Sequence, residues 1–370
     1  MRRTTTSVLA SGLVAALVWA HAAPTGQAAP KKAKGVYASI EEARQAGPDF
    51  DIQGEYEGTI GAAKEKIGVQ VIALGGGAFQ AVFLPGGLPG AGWDGKSRAL
   101  CDGSLEGDKA VFVPAKGDRG YMDGNPKRFI AVRKFPPAGQ KDYTASIEGG
   151  KLVGKTDTGA AIAAKKVLRK STTLGAKPPE GATVLLAFTP GKAPSLEAWT
   201  NPKLLADPNG FMQVVRRGGS TNSKKRFAGP WRMHVEFRTP FQPPARGQGR
   251  GNSGVFPPGG REIQVLDSFG LEGLGNECGG IYGDRSPRVN MCLPPLSWQT
   301  YDVEYHPAEP GKKGSEQAWY KVVHNGVTIH EKVPLGGSRT GGLNLQDHGN
   351  PVAYRNIWFV VGKEAAKPGQ

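Results

Sequence analysis

The sequence is poor in cysteine and in acidic residues. It has 3 Cys among 370 residues, and 32 Asp and Glu against 47 Lys and Arg, which gives a formal net charge of +15. A basic balance can indicate binding to nucleic acid. Here the Lys and Arg residues are spread along the chain in short clusters, without a basic helix or a recognised nucleic-acid module. We therefore interpret the charge as a basic surface and expect no nucleic-acid partner.

Long apolar runs are missing except near the N-terminus. Val8 to Trp19 are mostly apolar, follow Arg2 and Arg3, and precede small residues that end at Ala22. This layout is typical of a secretory signal peptide, whereas the run falls short of the roughly 20 residues that span a bilayer. An uncleaved N-terminal anchor is the alternative. We expect export to the periplasm or the extracellular medium, with no stable membrane insertion after cleavage.

The few cysteines allow one pairing argument. Cys278 and Cys292 bracket a loop rich in Gly and Pro, and Cys101 lies far from both. In an exported chain this spacing favours a disulfide, which would stabilise the fold by about 3 kcal/mol in the chain-entropy model. A metal site is the alternative, but no further Cys or His lies at metal-ligand spacing. We expect the disulfide and name no metal ligand.

The sequence also lacks the usual hydrolase motifs. No Gly-x-Ser-x-Gly elbow, no His-Glu-x-x-His and no Gly-rich phosphate loop before a helix occurs. The alternating carboxylates of a retaining glycosidase strand are incomplete, because Glu262 is followed by Gln264 and Leu266. An ordinary glycosidase with two carboxylates is therefore disfavoured.

Glycine and proline are abundant, with 55 and 29 residues, and they separate many short alternating apolar runs. Such a pattern predicts an all-β chain of antiparallel strands joined by turns. We expect five segments: a signal peptide (1–22), a disordered segment with a short helix (23–48), a small antiparallel β domain (49–165), a linker (166–181) and a β-sandwich (182–362). In the short helix, Ser39 is the expected N-cap, with Glu42 three residues later.

Polar side chains alternate with apolar ones on several strands of the predicted sandwich. His234, Glu236 and Arg238 share one strand face, and Glu262 and Gln264 share another. Such faces suit hydrogen bonding to a polyol, although a face in contact with water is the alternative.

Two loops complete the candidate site. Asn252 lies in a Gly-rich segment that would let backbone approach a ligand, with a flexible loop as the alternative. His348 follows Asp347 just before the last strand, where an Asp could orient an imidazole or a polar turn could form. The expected substrate-binding residues are Glu236, Arg238, Asn252, Gln264, Gln346 and Asp347.

Seven motifs in a fixed order carry a resemblance. They are Gly251-Asn-Ser-Gly-Val-Phe256, Glu262-Ile-Gln-Val-Leu-Asp-Ser-Phe269, Asn276-Glu-Cys-Gly-Gly-Ile-Tyr282, Trp298-Gln-Thr-Tyr-Asp302, His324-Asn-Gly-Val327, Leu345-Gln-Asp-His-Gly-Asn-Pro351 and Arg355-Asn-Ile-Trp358. The set resembles the 3-keto-disaccharide hydrolase family over about residues 182–362.

The resemblance implies a concanavalin A-like jelly roll that cleaves glycosides already oxidised to a ketone at C3. Base-assisted elimination followed by hydration, or direct hydrolysis, would fit such a substrate. His348, Glu262 and His234 are then the candidates for base and acid, and Arg238 and Asn252 for stabilising an enolate. The resemblance leaves a divalent metal cofactor open, and the sequence requires none.

A non-catalytic function is the main alternative. Jelly rolls are shared with lectins, so the fold alone does not give the function. The second hypothesis is therefore a lectin-like carbohydrate-binding module of the cell envelope, and the third is an adhesion or envelope protein bound through its basic surface. We expect an enzyme whose partner is an oxidised glycoside.

Overall fold

The computed structural model describes residues 35–214, 217–309, 311, 317–335 and 340–362. The predicted signal peptide and residues 23–34 lie outside the described residues. From residue 35 onward the described chain forms one compact unit. None of its helices is long and apolar enough to cross a membrane.

Two short helices and 22 strands make up the described chain. The N-terminal half contains α1 Ile40–Gln45, α2 Asp49–Ile52, β1 Gly54–Ile60, β2 Glu65–Gly75, β3 Ala78–Pro85, β4 Ala99–Glu106, β5 Lys109–Pro114, β6 Gly120–Tyr121, β7 Phe129–Ile130, β8 Thr144–Glu148, β9 Lys151–Lys155 and β10 Ala161–Val167. The C-terminal half contains β11 Thr183–Leu186, β12 Leu205–Asp207, β13 Phe211–Gln213, β14 Thr221–Asn222, β15 Trp231–Arg238, β16 Ser253–Phe256, β17 Ile263–Val265, β18 Gln299–His306, β19 Ala318–His324, β20 Val327–Leu335, β21 Asn344–Leu345 and β22 Ala353–Val361, with one 3-10 helix at Gly247–Gly249. The prediction of an all-β chain is confirmed.

The cap of α1 follows the predicted pattern. Ser39 Oγ accepts a hydrogen bond from the Glu42 amide at 3.2 Å, and Glu42 Oε2 accepts one from the Ala38 amide at 3.1 Å. These bonds satisfy amide groups that have no partner within the helix. The predicted short helix is confirmed.

Eight strands of the N-terminal half close into an antiparallel barrel in the order β1-β10-β9-β8-β5-β4-β3-β2. Closure leaves no free strand edge. The apolar run in β2 is buried on both faces: Val69 and Val71 point into the barrel core, whereas Ile72 and Leu74 belong to the core of the C-terminal half. The barrel is therefore packed against the sandwich through this strand.

The C-terminal half is a sandwich of two sheets. The large sheet has the order β12-β13-β22-β15-β18-β19-β20, with β11 also paired to β22, and the small sheet has the order β14-β21-β16-β17. Met233 and Val235 of the large sheet share one buried core with Val255, Ile263 and Leu345 of the small sheet. The alternate residues on these strands must therefore point outward, on opposite sides of the sandwich.

The segment between barrel and sandwich lies on the outer face of the large sheet. The Gly175 amide donates to Glu236 Oε1 at 2.6 Å, and Thr173 Oγ1 donates to Asp302 Oδ2 at 2.6 Å. Asn356 and Trp358 side chains both donate to the Ala176 carbonyl, at 2.9 and 3.3 Å. This part of the expected linker therefore covers polar groups of the sheet.

His234 is fully buried beneath this segment. Its Nδ1 lies 2.6 Å from Asp302 Oδ1, its Nε2 lies 3.4 Å from Glu236 Oε1, and its ring stacks on Trp358. Burial would lower the pKa of His234, but the hydrogen bonds to Asp302 and Glu236 outweigh burial and raise that pKa to about 9. The imidazole is thus held as a cation at neutral pH.

The raised pKa of His234 predicts a pH-dependent stability. The protonated imidazole stabilises the fold fully below its unfolded pKa of about 6.5, and this contribution is lost as pH rises through about 9. We expect the free energy of unfolding in urea to fall by on the order of 3 kcal/mol from this group between those values. The His234→Gln variant should lack that fall, and parallel curves for variant and wild type would contradict the assignment.

The predicted disulfide is absent from the structure. Cys101, Cys278 and Cys292 are all buried free thiols. Cys278 Sγ lies 3.3 Å from the Tyr301 hydroxyl, and Cys292 donates to the Leu266 carbonyl at 3.5 Å. The prediction is corrected: the Cys278 and Cys292 thiols are neighbours that hydrogen-bond to each other, and no covalent bond joins them.

Thiol titration tests this correction. Unfolded in guanidinium chloride without reductant, the chain should release about three equivalents of thionitrobenzoate from Ellman's reagent, since the sequence has 3 Cys. Release of one equivalent before reduction and three after it would show that the predicted disulfide forms.

Candidate functional site

The outer face of the small sheet brings four of the predicted residues together. Gly254 of β16 pairs with Gln264 of β17, and Glu262 precedes Gln264 by two residues on the same face. The Gln346 amide donates to the Gly254 carbonyl at 3.0 Å, which places Gln346 on the other side of β16. Asn252 precedes Gly254 by two residues. We call Asn252, Glu262, Gln264 and Gln346 the amide face.

Gly254 makes room for the carboxyl group of Glu262. A Cβ atom at position 254 would lie 2.2 Å from Glu262 Oε1 and 3.0 Å from Phe256 Cε2. Glycine therefore allows the carboxyl group to lie over the strand. Partial burial in this position raises the pKa of Glu262 to about 7.

Three amide oxygens of this face have no hydrogen-bond partner among the described residues. They are buried and belong to Asn252, Gln264 and Gln346. An unsatisfied buried acceptor costs about 1–3 kcal/mol, so each of these oxygens keeps the capacity to accept a further hydrogen bond.

Gln248 explains why two of these oxygens remain free. Its Nε2 donates to the Asn276 carbonyl at 2.7 Å, so its Oε1 is left to accept. Asn252 Nδ2 and Gln264 Nε2 both donate to that Oε1, each at 3.0 Å. With the two nitrogens engaged, the amide oxygens of Asn252 and Gln264 are left without protein donors.

Asp347 and His348 follow Gln346 of the amide face directly in the chain. Asp347 accepts hydrogen bonds from the amides of Gly219 at 2.9 Å and Gly349 at 2.8 Å, so its carboxylate holds a turn. His348 is exposed and follows Gln346 by two residues. Of the two alternatives for this segment, the contacts of Asp347 favour the polar turn, and the His348 imidazole is exposed.

His234, Glu236 and Arg238 do not join this site. They point outward from the large sheet, on the opposite side of the core from Glu262. Since packed sheets lie about 10 Å apart, one sugar cannot contact both groups. The prediction of a single site that includes these three residues is corrected, because strand alternation does not reveal which outer face a polar residue occupies.

Glu236 and Arg238 contact other residues of the fold, and these contacts hold the large sheet to the segments that cover it. Burial would raise the pKa of Glu236, but hydrogen bonds from His234, Asn356 and Gly175 and the charge of Arg355 lower that pKa to about 2. The Arg238 guanidinium lies over the rings of Phe211 and Trp298, with centroid distances of 4.8 and 5.0 Å. Arg238 also donates to the Ala38 carbonyl at 3.1 Å, which ties the N-terminal segment to the sheet.

Gln248 and Asn276 also contribute to the site, although the alternating pattern of the sequence does not point to them. Gln248 lies in the 3-10 helix, within the same Gly-rich segment from which Asn252 was predicted to bind a ligand. Asn276 contributes a backbone carbonyl, which leaves no compositional signal. Among the described residues, no three His, Cys, Asp or Glu side chains form a cluster that could hold a metal ion.

Solved structures similar to this chain include two proposed glycosyl hydrolases from Parabacteroides distasonis. The first is 26% identical, covers 50% of this chain and 85% of its own, and has a TM-score of 0.43. The second is 17% identical, covers 49% of this chain and 93% of its own, and has a TM-score of 0.35. No curated protein matches the chain significantly.

A family model matches the sandwich. The model is described as a 3-keto-alpha-glucoside-1,2-lyase-like domain, and it matches residues 182–360. The resemblance drawn from the seven motifs is thereby confirmed, and a carbohydrate-active protein is supported. The sandwich of this chain is therefore similar to 3-keto-alpha-glucoside-1,2-lyase-like domains over residues 182–360.

Proposed function

We propose that the sandwich cleaves glycosides oxidised at C3, with Glu262 as the general base. The observation that carries this proposal is a single carboxyl group with a pKa of about 7 beside three unpartnered amide oxygens. A base is most effective when its pKa lies near the working pH. The amide oxygens would accept hydrogen bonds from sugar hydroxyls and hold the ring over Glu262.

The chemistry needs one base where ordinary glycoside hydrolysis needs two carboxylates. A ketone at C3 acidifies the proton on C2, and Glu262 removes that proton to form an enolate. The enolate electrons form the C1–C2 double bond as the C1–O bond breaks, and the aglycone oxygen takes a proton from an acid. Water then adds its hydroxyl group to C1 and gives its remaining proton to the acid, and Glu262 returns the first proton to C2. The sum is glycoside plus water giving 3-keto sugar plus alcohol.

His348 is the side chain that we propose as the acid. It is exposed and follows Gln346 of the amide face by two residues. A protonated imidazole can donate a proton to a departing alkoxide.

We also propose that the protein is exported to the periplasm or the extracellular medium. The support is the signal-peptide pattern within residues 1–22 of the sequence. An oxidised glycoside in the same compartment would be the substrate.

The Glu262→Gln variant tests the proposed base. With 3-keto-trehalose or a 3-keto-glucoside, release of the aglycone should slow by about 10²–10⁴-fold, because the amide cannot take the C2 proton. For the wild type, kcat/KM should rise with pH through about 7, since only the ionised carboxylate acts. Chromatography of the released sugar measures both effects.

Glu331→Gln is the matched control, since Glu331 is exposed on β20 of the other sheet. Its rate should equal that of the wild type. Equal rates for Glu262→Gln and wild type would refute Glu262 as the base. Absence of turnover by the wild type across a panel of 3-keto-glycosides, with glycan binding detected by calorimetry, would instead favour the lectin-like module.

The His348→Gln variant tests the proposed acid. Turnover of an alkyl 3-keto-glucoside should fall by about 10²-fold, because its alkoxide needs a proton to leave. A 4-nitrophenyl 3-keto-glucoside should be cleaved within about twofold of the wild-type rate, since its leaving group departs unprotonated. Equal losses on both substrates would contradict the assignment.

A further inference from the structure

A pocket of about 440 Å³ opens beside the amide face. It is lined by Asn276, Tyr282 and Arg285 of the sandwich and by Arg133 of the N-terminal half. None of the predicted site residues lines it, and the single-ring chemistry proposed for Glu262 does not use it.

The residues that line the pocket are neighbours of the amide face along the edge of β17. The loop that follows β17 pairs with this strand: the Gly279 amide donates to the Gln264 carbonyl, and the Tyr282 amide donates to the Glu262 carbonyl, at 3.0 and 3.1 Å. Asn276 lines the pocket, and its carbonyl accepts from Gln264 Nε2 at 3.4 Å. A ligand bound above Glu262 would therefore reach the pocket with its next group.

The lining suits a sugar ring. Tyr282 is 47% exposed, one of few large apolar side chains left open to solvent in the described chain. An exposed aromatic ring can stack on the apolar face of a sugar, and a guanidinium can donate to several hydroxyls. Arg285 is held by Asp284 at 2.8 Å, whereas the Arg133 side chain is 64% exposed and reaches Glu272 only at 3.6 Å.

Contacts with the C-terminal half fix the position of Arg133. The Arg133 amide donates to Glu272 Oε2 at 2.7 Å. Nearby, the Tyr121 hydroxyl donates to the buried carboxylate of Glu277, which also accepts from the Gly273 amide at 2.7 Å. These bonds hold the segment around β6 and β7 against the loop that forms the pocket.

We infer that this pocket binds the second ring of a 3-keto-disaccharide, and that Arg133 makes the barrel a determinant of aglycone selectivity. The inference rests on the proposed function, because it assigns the leaving group of that same reaction. Tyr282 supplies a stacking surface for the departing sugar, and Arg133 supplies hydrogen-bond donors from the other half of the chain.

The test compares two substrates that share the oxidised ring. With 3-keto-trehalose, Tyr282→Ala and Arg133→Ala in the full chain should each lower kcat/KM by about tenfold, mainly through a higher KM. With methyl 3-keto-α-glucoside, whose aglycone is too small to fill the pocket, both variants should stay within about twofold of the wild type. Tyr282→Phe should behave as the wild type on both substrates, because the ring is kept.

Arg288→Ala is the matched control for Arg133→Ala, since the Arg288 side chain is 70% exposed and lies outside the pocket. It should leave both substrates unaffected. If the wild type turns over both substrates and the Tyr282→Ala and Arg133→Ala variants are unchanged, or lose activity equally on both, the role of the pocket is refuted. The proposed function would still stand in that case. No turnover of either substrate by the wild type would overturn the proposed function and this inference with it.

Discussion

The buried ion pair between Arg250 and Asp267 is the interaction on which the candidate site depends. Arg250 Nε donates to Asp267 Oδ2 at 2.7 Å, and its Nη1 donates to the Ala73 carbonyl of the barrel at 3.1 Å. Removing one partner of such a pair leaves an uncompensated buried charge, which typically costs about 3–5 kcal/mol. Arg250 lies just before β16 and Asp267 just after β17, so the pair fixes both strands of the amide face and joins them to the barrel.

The same junction explains why barrel and sandwich act as one compact unit. β2 carries alternate residues into two different cores, with Val71 inside the barrel and Ile72 against the sandwich. Gly270 allows this approach, because a Cβ atom there would lie 2.7 Å from Ile72. A strand that is buried on both faces has a nearly continuous apolar sequence, and each face must pack against another part of the protein. The loop that ends at Arg133 is therefore placed beside the pocket by packing of the fold as a whole.

Sequence periodicity predicted the strands, the inward faces and the α1 cap, but it could not assign the outward faces. His234 and Glu262 give the same alternating signal, yet one lies beneath the 168–177 segment and the other on the open small sheet. That covering segment consists mostly of polar and basic residues and has no apolar period, so nothing in its composition predicts where it packs. The closure of the barrel could not be predicted from the sequence either, because it depends on the pairing of β1 with β10, which lies about a hundred residues later.

The two glutamates show how the surroundings of a carboxyl group decide what it can do. Glu236 accepts from His234, Asn356, Gly175 and Arg355, and these donors and charges hold its pKa near 2 despite burial. A carboxylate stabilised so strongly is a weak base. Glu262 lies among amide groups whose nitrogens are already engaged, and burial raises its pKa to about 7. A pKa near 7 would suit the role of general base that we propose for Glu262. The residues beside Glu262 are amides where an ordinary glycosidase would have a second carboxylate. A single carboxyl group whose pKa is raised by burial alone is compatible with this arrangement.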